Sequence, residues 1–194
     1  MSIQQLRQRM KKQRKQLSVS QQQHLSEKMV MHLSSSPVYQ EARNIALYLP
    51  VNGEADPCQL FHRNRDISKK FYLPVLSDCA ELPLDFVQWH AETQFKTNIY
   101  AISEPIYQAE ESILATQLDL VIMPLLAFDP KGNRLGMGGG YYDRSFAFKR
   151  QAQYQYSPLL VAYAYGFQMQ TQLTTQAWDV PVDAYVTENQ FHSV

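Results

Sequence analysis

Leu118-Asp-Leu-Val-Ile-Met-Pro-Leu-Leu-Ala-Phe128 runs into Asp129-Pro-Lys-Gly-Asn-Arg-Leu-Gly-Met-Gly-Gly-Gly140 and then into Tyr141-Tyr-Asp-Arg-Ser-Phe-Ala-Phe-Lys149. The first segment is the most apolar strand candidate in the chain, the last reads as a helix, and between them lie five of the seven glycines. A strand that enters a glycine-rich bend and leaves as a helix is the unit from which α/β sheets are built. Such a bend can gather backbone N–H groups around anionic oxygens, and the helix start adds a favourable field. Glycine lets the backbone come that close.

The same alternation continues to either side. Short apolar runs rich in aromatic and branched residues predict strands at Ile45–Val51, Phe71–Leu76, Asp85–Trp89 and Leu159–Tyr165, and Pro57–Asp66 predicts a helix with Pro57 at its first position. Upstream, Ile3, Leu6, Met10 and Leu17 recur at helical spacing beside a cationic edge of Arg7, Lys11 and Arg14. Ser20 with Gln23 has the pattern of a capping box opening a second helix through Leu25, Met29 and Leu33, which the Ser34-Ser35-Ser36-Pro37 run ends. Glutamine patches at 21–23 and 151–155 read as exposed surface. The expected fold is α/β: one domain over residues 1–194, a mostly parallel sheet flanked by helices in three layers, with ligands beyond the carboxyl ends of the strands.

Composition narrows the partners. Lys plus Arg equals Asp plus Glu at 18 each, so no global field points to nucleic acid or an anionic membrane, and affinity for anions must be local. No apolar run reaches the roughly 20 residues of a membrane helix. Cys58 and Cys79 form no Cys-x-x-Cys pattern and suit a reducing compartment, so the expectation is a cytoplasmic protein.

Several specific chemistries fail on residues. Walker A requires Gly-Lys-Ser/Thr where this chain has Gly140-Tyr141-Tyr142. A dinucleotide fingerprint would need a third glycine where Tyr141 stands and an acidic residue near 160, within Pro158-Leu-Leu-Val-Ala-Tyr163. Cys58 with His62 lacks further zinc ligands, and no Gly-x-Ser-x-Gly elbow is present. Asp119 and Asp129, at the ends of the apolar strand, suit turns. Trp89 and Phe128 are assigned to the core.

Pro124-Leu-Leu-Ala-Phe-Asp129, Gly132-Asn-Arg-Leu-Gly136 and Gly138-Gly-Gly-Tyr-Tyr-Asp-Arg144 resemble the signature of the 5-formyltetrahydrofolate cyclo-ligases. The likeness extends to Leu6-Arg7, Arg14 to Ser18, Tyr48 to Glu54, Lys70 to Pro74, Glu104-Pro105, Trp178-Asp179, Asp183 and Val186 to Glu188. It implies an ATP-dependent ligase that cyclises 5-formyltetrahydrofolate to 5,10-methenyltetrahydrofolate by phosphorylating the formyl oxygen before N10 attacks. By position it implies nucleotide contacts at Arg7, Arg14, Arg134, Leu135, Gly136, Met137, Gly138, Gly139, Gly140, Tyr141 and Tyr142, with Arg134 and Tyr141 catalytic. It implies folate contacts at Leu49, Glu54, Met137 through Gly140 and Tyr141, and Mg²⁺ carboxylates at Asp143 and Asp179. Partners would be 5-formyltetrahydrofolate and Mg-ATP, with no nucleic acid or membrane, and the protein is expected as a monomer.

Ile3, Met137 and Gly139 stand where the family usually carries basic residues. Fewer cations imply weaker or more magnesium-dependent ATP binding, which Gly139→Lys would strengthen. Arg134→Ala and Asp143→Asn are expected to abolish turnover with the fold intact, since neither residue belongs to an apolar periodic face.

Overall fold

The computed structural model describes residues 1–194 apart from 78, 80 and 155, so the end of the second glutamine patch lies outside the described residues. In chain order the elements are α1 (Ile3–Gln16), α2 (Val19–Ser34), α3 (Pro37–Glu41), β1 (Asn44–Ala46), α4 (Gln59–His62), β2 (Lys70–Leu76), β3 (Leu84–Gln88), β4 (Phe95–Thr97) and β5 (Ser103–Pro105). There follow β6 (Ser112–Ile113), β7 (Leu120–Met123), β8 (Ala127–Phe128), β9 (Arg134–Leu135), α5 (Tyr141–Ser145), β10 (Leu159–Tyr163), β11 (Ala184–Val186) and β12 (Phe191–Ser193).

Eight strands form one sheet in the order β12-β11-β10-β7-β1-β2-β3-β6. Its centre, from β11 through β10, β7 and β1 to β2, is parallel, as expected. The β2–β3, β3–β6 and β11–β12 ladders are antiparallel. The turns between β2 and β3 and between β11 and β12 are too short for the helical crossover that a parallel neighbour needs. Alternate residues of the central strands face opposite layers. Ile45, Leu120, Ile122, Val161 and Val186 pack with Met29 and Leu33 of α2, whereas Ala46, Val121, Met123, Leu160 and Ala162 pack with Phe146 after α5. Met29 and Leu33 are fully buried, each contributing about 1.5–3 kcal/mol of transfer free energy. Among the described residues no helix is long and apolar enough to cross a membrane.

Several boundaries move from their expected places, each for a local reason. The capping box that opens α2 uses Ser18 and Gln21, not Ser20 and Gln23, and a second box at Ser2 and Gln5 opens α1. The predicted strand Ile45–Val51 pairs only over Asn44–Ala46, with Leu47 N adding one bond to Tyr72 O before the chain reaches Pro50, which has no N–H to donate. Pro124 likewise breaks the Leu118–Phe128 run: β7 stays in the sheet, while β8 leaves it to pair with β9. The helix expected over Pro57–Asp66 shrinks to Gln59–His62. There Asn64 and Asp66 side chains bond nearby backbone and compete with helix formation. The Tyr141–Lys149 helix continues past Ser145 only as a tighter turn over Ala147–Arg150.

Asp119 and Asp129 have the turn roles read from sequence. Asp119 Oδ2 accepts the N–H groups of Arg43 and Asn44, tying the start of β1 to β7. Asp129 is fully buried and organises the bend between β8 and β9. Its Oδ1 accepts from Lys131 N and Asn133 N, and its Oδ2 accepts from Asn133 Nδ2 and Leu173 N. Burial alone would raise its pKa, but these hydrogen bonds outweigh that and lower it. The bend also needs Gly132, at φ +78°, where a Cβ would collide with Val182 O.

Because Asp129 has a depressed pKa in the fold, its stabilisation exists above its unfolded pKa and disappears as pH falls through the folded value. Asp129→Ala should therefore lower stability by about 2–4 kcal/mol at pH 7, and the gap to wild type should narrow in urea titrations below about pH 4.

Candidate active site

The winding of the sheet reverses at its centre: from β1 the chain moves to β2 on one side, then returns through β7 to the other. In open α/β sheets the crevice beyond the carboxyl ends of the strands at such a reversal is where ligands bind. Here that crevice receives the segment after β1, ending at Glu54, and the segment after β7, containing the glycines.

The β8–β9 hairpin carries Arg134 into the crevice. Its side chain is 5% exposed, and Nη2 donates to Asp143 Oδ1 at 2.6 Å, joining the two ends of the glycine segment. Asp143 Oδ1 also accepts from Val180 N, which brings the Trp178-Asp179 turn alongside. Burial pushes the Arg134 pKa down, and the nearby Asp143, Tyr142 and Asp179 pull it back up. Arg134 Nε is buried with no acceptor on the protein among the described residues, an orphan donor at the start of the glycine segment.

Arg7 approaches from the other side. Leu6 and Met10 of α1 pack on Leu126, Ala127 and Leu135, and this contact sets α1 across the hairpin. Arg7 Nε then donates to Gly136 O at 3.0 Å, with the guanidinium 3.5 Å from the place a Cβ would take on Gly138. Arg14 has other surroundings. It is 1% exposed and bonds Glu54 at 3.1 Å, so the two arginines expected together on phosphate lie in different settings.

Gly138, Gly139 and Gly140 border a cavity of about 380 Å³ completed by Asp143, Arg144, Ala147, Arg150 and Trp178. Arg144 Nη1 donates to Gly139 O, and its guanidinium sits over the Tyr141 ring. The Tyr141 hydroxyl shares a short hydrogen bond with that of Tyr100, which raises its pKa. Tyr100 belongs to the turn of the β4–β5 hairpin, held by Glu104 through Lys96 and Asn98. Desolvation pushes the Tyr142 phenol well up, the charge of Glu54 adds to it, and Arg134 opposes it, so Tyr142 senses both sides of the crevice. Leu49 is half-buried against the core, and Met137 is 53% exposed.

Asp143 and Asp179 both act on Arg134, so the two carboxylates share one region. Each spends one oxygen on the protein, Asp143 Oδ1 as above and Asp179 Oδ2 on Gln176 N. Among the described residues no cluster of three or more His, Cys, Asp or Glu could hold a metal. Two carboxylates with an oxygen to spare fit a magnesium ion that takes its remaining ligands from phosphates and water, and would not fit a calcium or zinc cage.

Trp89 and Phe128 are core, the former stacked on Phe61 at 4.0 Å and the latter fully buried. Tyr100, Arg144, Arg150 and Trp178 are site residues that sequence reasoning did not single out. Arg144 and Trp178 adjoin assigned carboxylates, whereas nothing in the sequence pattern marks the hairpin that brings Tyr100 in.

The 5-formyltetrahydrofolate cyclo-ligase family matches residues 1–188, nearly the whole chain. The chain belongs to that family. Its relatives include the 5-formyltetrahydrofolate cyclo-ligase of Haemophilus influenzae, 36% identical over 179 residues that cover 92% of this chain and 94% of the relative. The enzyme of the same name from Escherichia coli K12 is 33% identical over 177 residues, covering 91% and 95%. The solved 5,10-methenyltetrahydrofolate synthetase of Aquifex aeolicus superposes with a TM-score of 0.81 at 32% identity, over 100% of this chain and 93% of that one. The Mycoplasma pneumoniae synthetase, at 23% identity and a TM-score of 0.73, shares the fold.

Geometry revises one expectation for this cyclo-ligase. Arg134 and Asp143 form a largely buried pair, so removing one partner strands a charge and costs about 3–5 kcal/mol, and the fold does not stay intact at no cost. Urea unfolding of Arg134→Ala, Asp143→Ala and the double variant should give a double loss well below the sum of the single losses.

Proposed function

We propose that the segment Arg134–Tyr142 carries the phosphoryl transfer by which this cyclo-ligase converts 5-formyltetrahydrofolate and ATP into 5,10-methenyltetrahydrofolate, ADP and phosphate. The observation that carries the reading is the buried Arg134, with one donor unmet among the described residues, tied to Asp143 across the two ends of the glycine segment at the sheet's reversal point.

A formamide carbon is a poor electrophile and its oxygen a poor leaving group. Transfer of the γ-phosphoryl group to the formyl oxygen corrects both. N10 then attacks the formyl carbon and loses its proton, the C–O bond breaks, and the oxygen departs as phosphate, leaving the N5–C–N10 methenyl bridge. Phosphoryl transfer asks a protein for positioning and charge neutralisation. Arg7 and Arg134 would supply the cations, and the Gly136–Gly140 backbone the N–H donors. The cavity bordered by Arg144, Arg150 and Trp178 would take the rest of the nucleotide. Asp143 and Asp179 would hold Mg²⁺, whose charge offsets that of the triphosphate. Leu49, Glu54 and Tyr141 would face the pterin, with the Glu54 carboxylate accepting from its donor edge. The two cysteines are unpaired, which suits the reducing conditions of the cytoplasm, where the chain would act as a monomer.

Purified protein mixed with Mg²⁺, ATP and 5-formyltetrahydrofolate should generate the near-ultraviolet absorbance of the methenyl product, and none without ATP. Thermal stabilisation by both ligands with no absorbance change would make the chain a binding module and defeat the proposal.

Restoring a missing cation is better tried at 137 than at 139. A Cβ on Gly139 would lie 2.8 Å from the Tyr141 ring and displace it, whereas Met137 is exposed. Met137→Lys should tighten ATP binding about two- to fivefold by calorimetry, the scale of an exposed ion pair.

A further inference from the structure

Arg14 leaves α1 in its last turn and is 1% exposed, with Glu54 as its ion-pair partner, whereas Arg7 on the same helix bonds the glycine segment. Its Nη1 donates to Glu54 Oε1 at 3.1 Å, and Glu54 Oε2 accepts from Val51 N at 3.1 Å. Both carboxylate oxygens are thus fixed by the protein. The turn presenting Glu54 is unusual: Asn52 and Gly53 both have positive φ, 52° and 74°, and Glu54 N closes it onto Val51 O. A Cβ on Gly53 would lie 3.1 Å from Arg14 O and 3.4 Å from Gln22 Nε2, so the turn is seated directly on the end of α1. Arg14, the turn and Glu54 form one rigid unit.

We propose that Arg14 is a positioning residue on the folate side of the site: it holds Glu54 ionised and aimed at the pterin, and is not a contact to the ATP phosphates. This rests on the reading of Glu54 as a folate contact. Two features of the pair favour orientation over stability as its role. Arg14 Nε and Nη2 are buried without an acceptor on the protein among the described residues, and Glu54 is 9% exposed, so the pair bears the desolvation of two charges while leaving donors unmet. The Glu54 carboxyl accepts from a pterin donor edge at both oxygens, with charge assistance, only while ionised, yet burial raises its pKa. The groups facing Glu54 are Arg14 from α1, Val51 N within its own turn, Tyr48 after β1 and Tyr142 from α5. Of these Arg14 alone carries a positive charge, and it opposes the effect of burial.

The test measures KM for 5-formyltetrahydrofolate, KM for Mg-ATP and the pH dependence of kcat/KM for folate in wild type, Arg14→Lys, Arg14→Met and Glu54→Gln. Arg14→Lys should raise folate KM by about tenfold or more, the loss of a charge-assisted hydrogen bond, with ATP KM within about twofold of wild type. Arg14→Met should move the acid limb of the folate profile upward by about one pH unit or more. Should Arg14→Met fail to fold, Arg14→Lys decides the matter by its KM split. A rise in ATP KM with folate KM and the acid limb unmoved would assign Arg14 to the nucleotide and overturn the proposal, as would no change in either KM. Glu54→Gln separates the underlying reading: it should raise folate KM and abolish the acid limb. An unchanged folate KM in Glu54→Gln would remove Glu54 from the folate site, and the role proposed for Arg14 with it.

Discussion

Arg134 and Asp143 meet at 2.6 Å across the two ends of the glycine segment and turn what would be a loose excursion into a closed loop. Everything around the crevice is arranged on that closure. Asp129 sets the bend that delivers Arg134, Val180 N shares the Asp143 oxygen and draws in the Trp178-Asp179 turn, and α1 lies across the hairpin so that Arg7 reaches Gly136 from the opposite side. Backbone amides bind an anion strongly only when their directions are set beforehand, and the closure does that setting.

A chain with equal numbers of acidic and basic residues binds a triphosphate by placing a few charges in low dielectric and not by a broad field. Three of its ion pairs are largely withdrawn from water: Arg14 with Glu54, Arg134 with Asp143, and Lys149 with Asp183. The third fastens the tight turn after α5 to the sheet, since Lys149 Nζ also donates to Pro158 O and Asp183 also accepts from Leu160 N. The first orients a carboxylate from the interior, and the second lies at the glycine segment, where Arg134 Nε keeps a donor that no protein atom meets among the described residues. Such a donor costs stability in a fold, and a ligand that supplies the missing acceptor to Arg134 is the physical reason to keep it.

Much of this arrangement was legible in residues because glycine, proline and the apolar period speak locally. The strand-bend-helix unit around residues 118–149, the second strand and the central parallel order followed from pattern. What pattern missed was non-local. Pro124 divides the longest apolar run, yet its consequence, β8 folding back onto β9, depends on Asp129 and on Leu173, a residue 44 positions on. The β4–β5 hairpin is short and half polar, so nothing in its period announces a strand, and with it the contact of Tyr100 on Tyr141 stayed hidden. Arg7 and Arg14 lie on one helical stripe and look equivalent in sequence. Only the seating of the Asn52-Gly53 turn on α1 shows that one reaches the loop and the other the interior.

The seven glycines allow the central claim to be tested with one label. In protein labelled with ¹⁵N-glycine and titrated with Mg²⁺ and a non-hydrolysable ATP analogue, the amide resonances of Gly136, Gly138, Gly139 and Gly140 should shift, while Gly53 and Gly166 hold still. Saturable binding that leaves those four resonances in place would mean the nucleotide sits elsewhere, and the account built on the closed loop would be wrong.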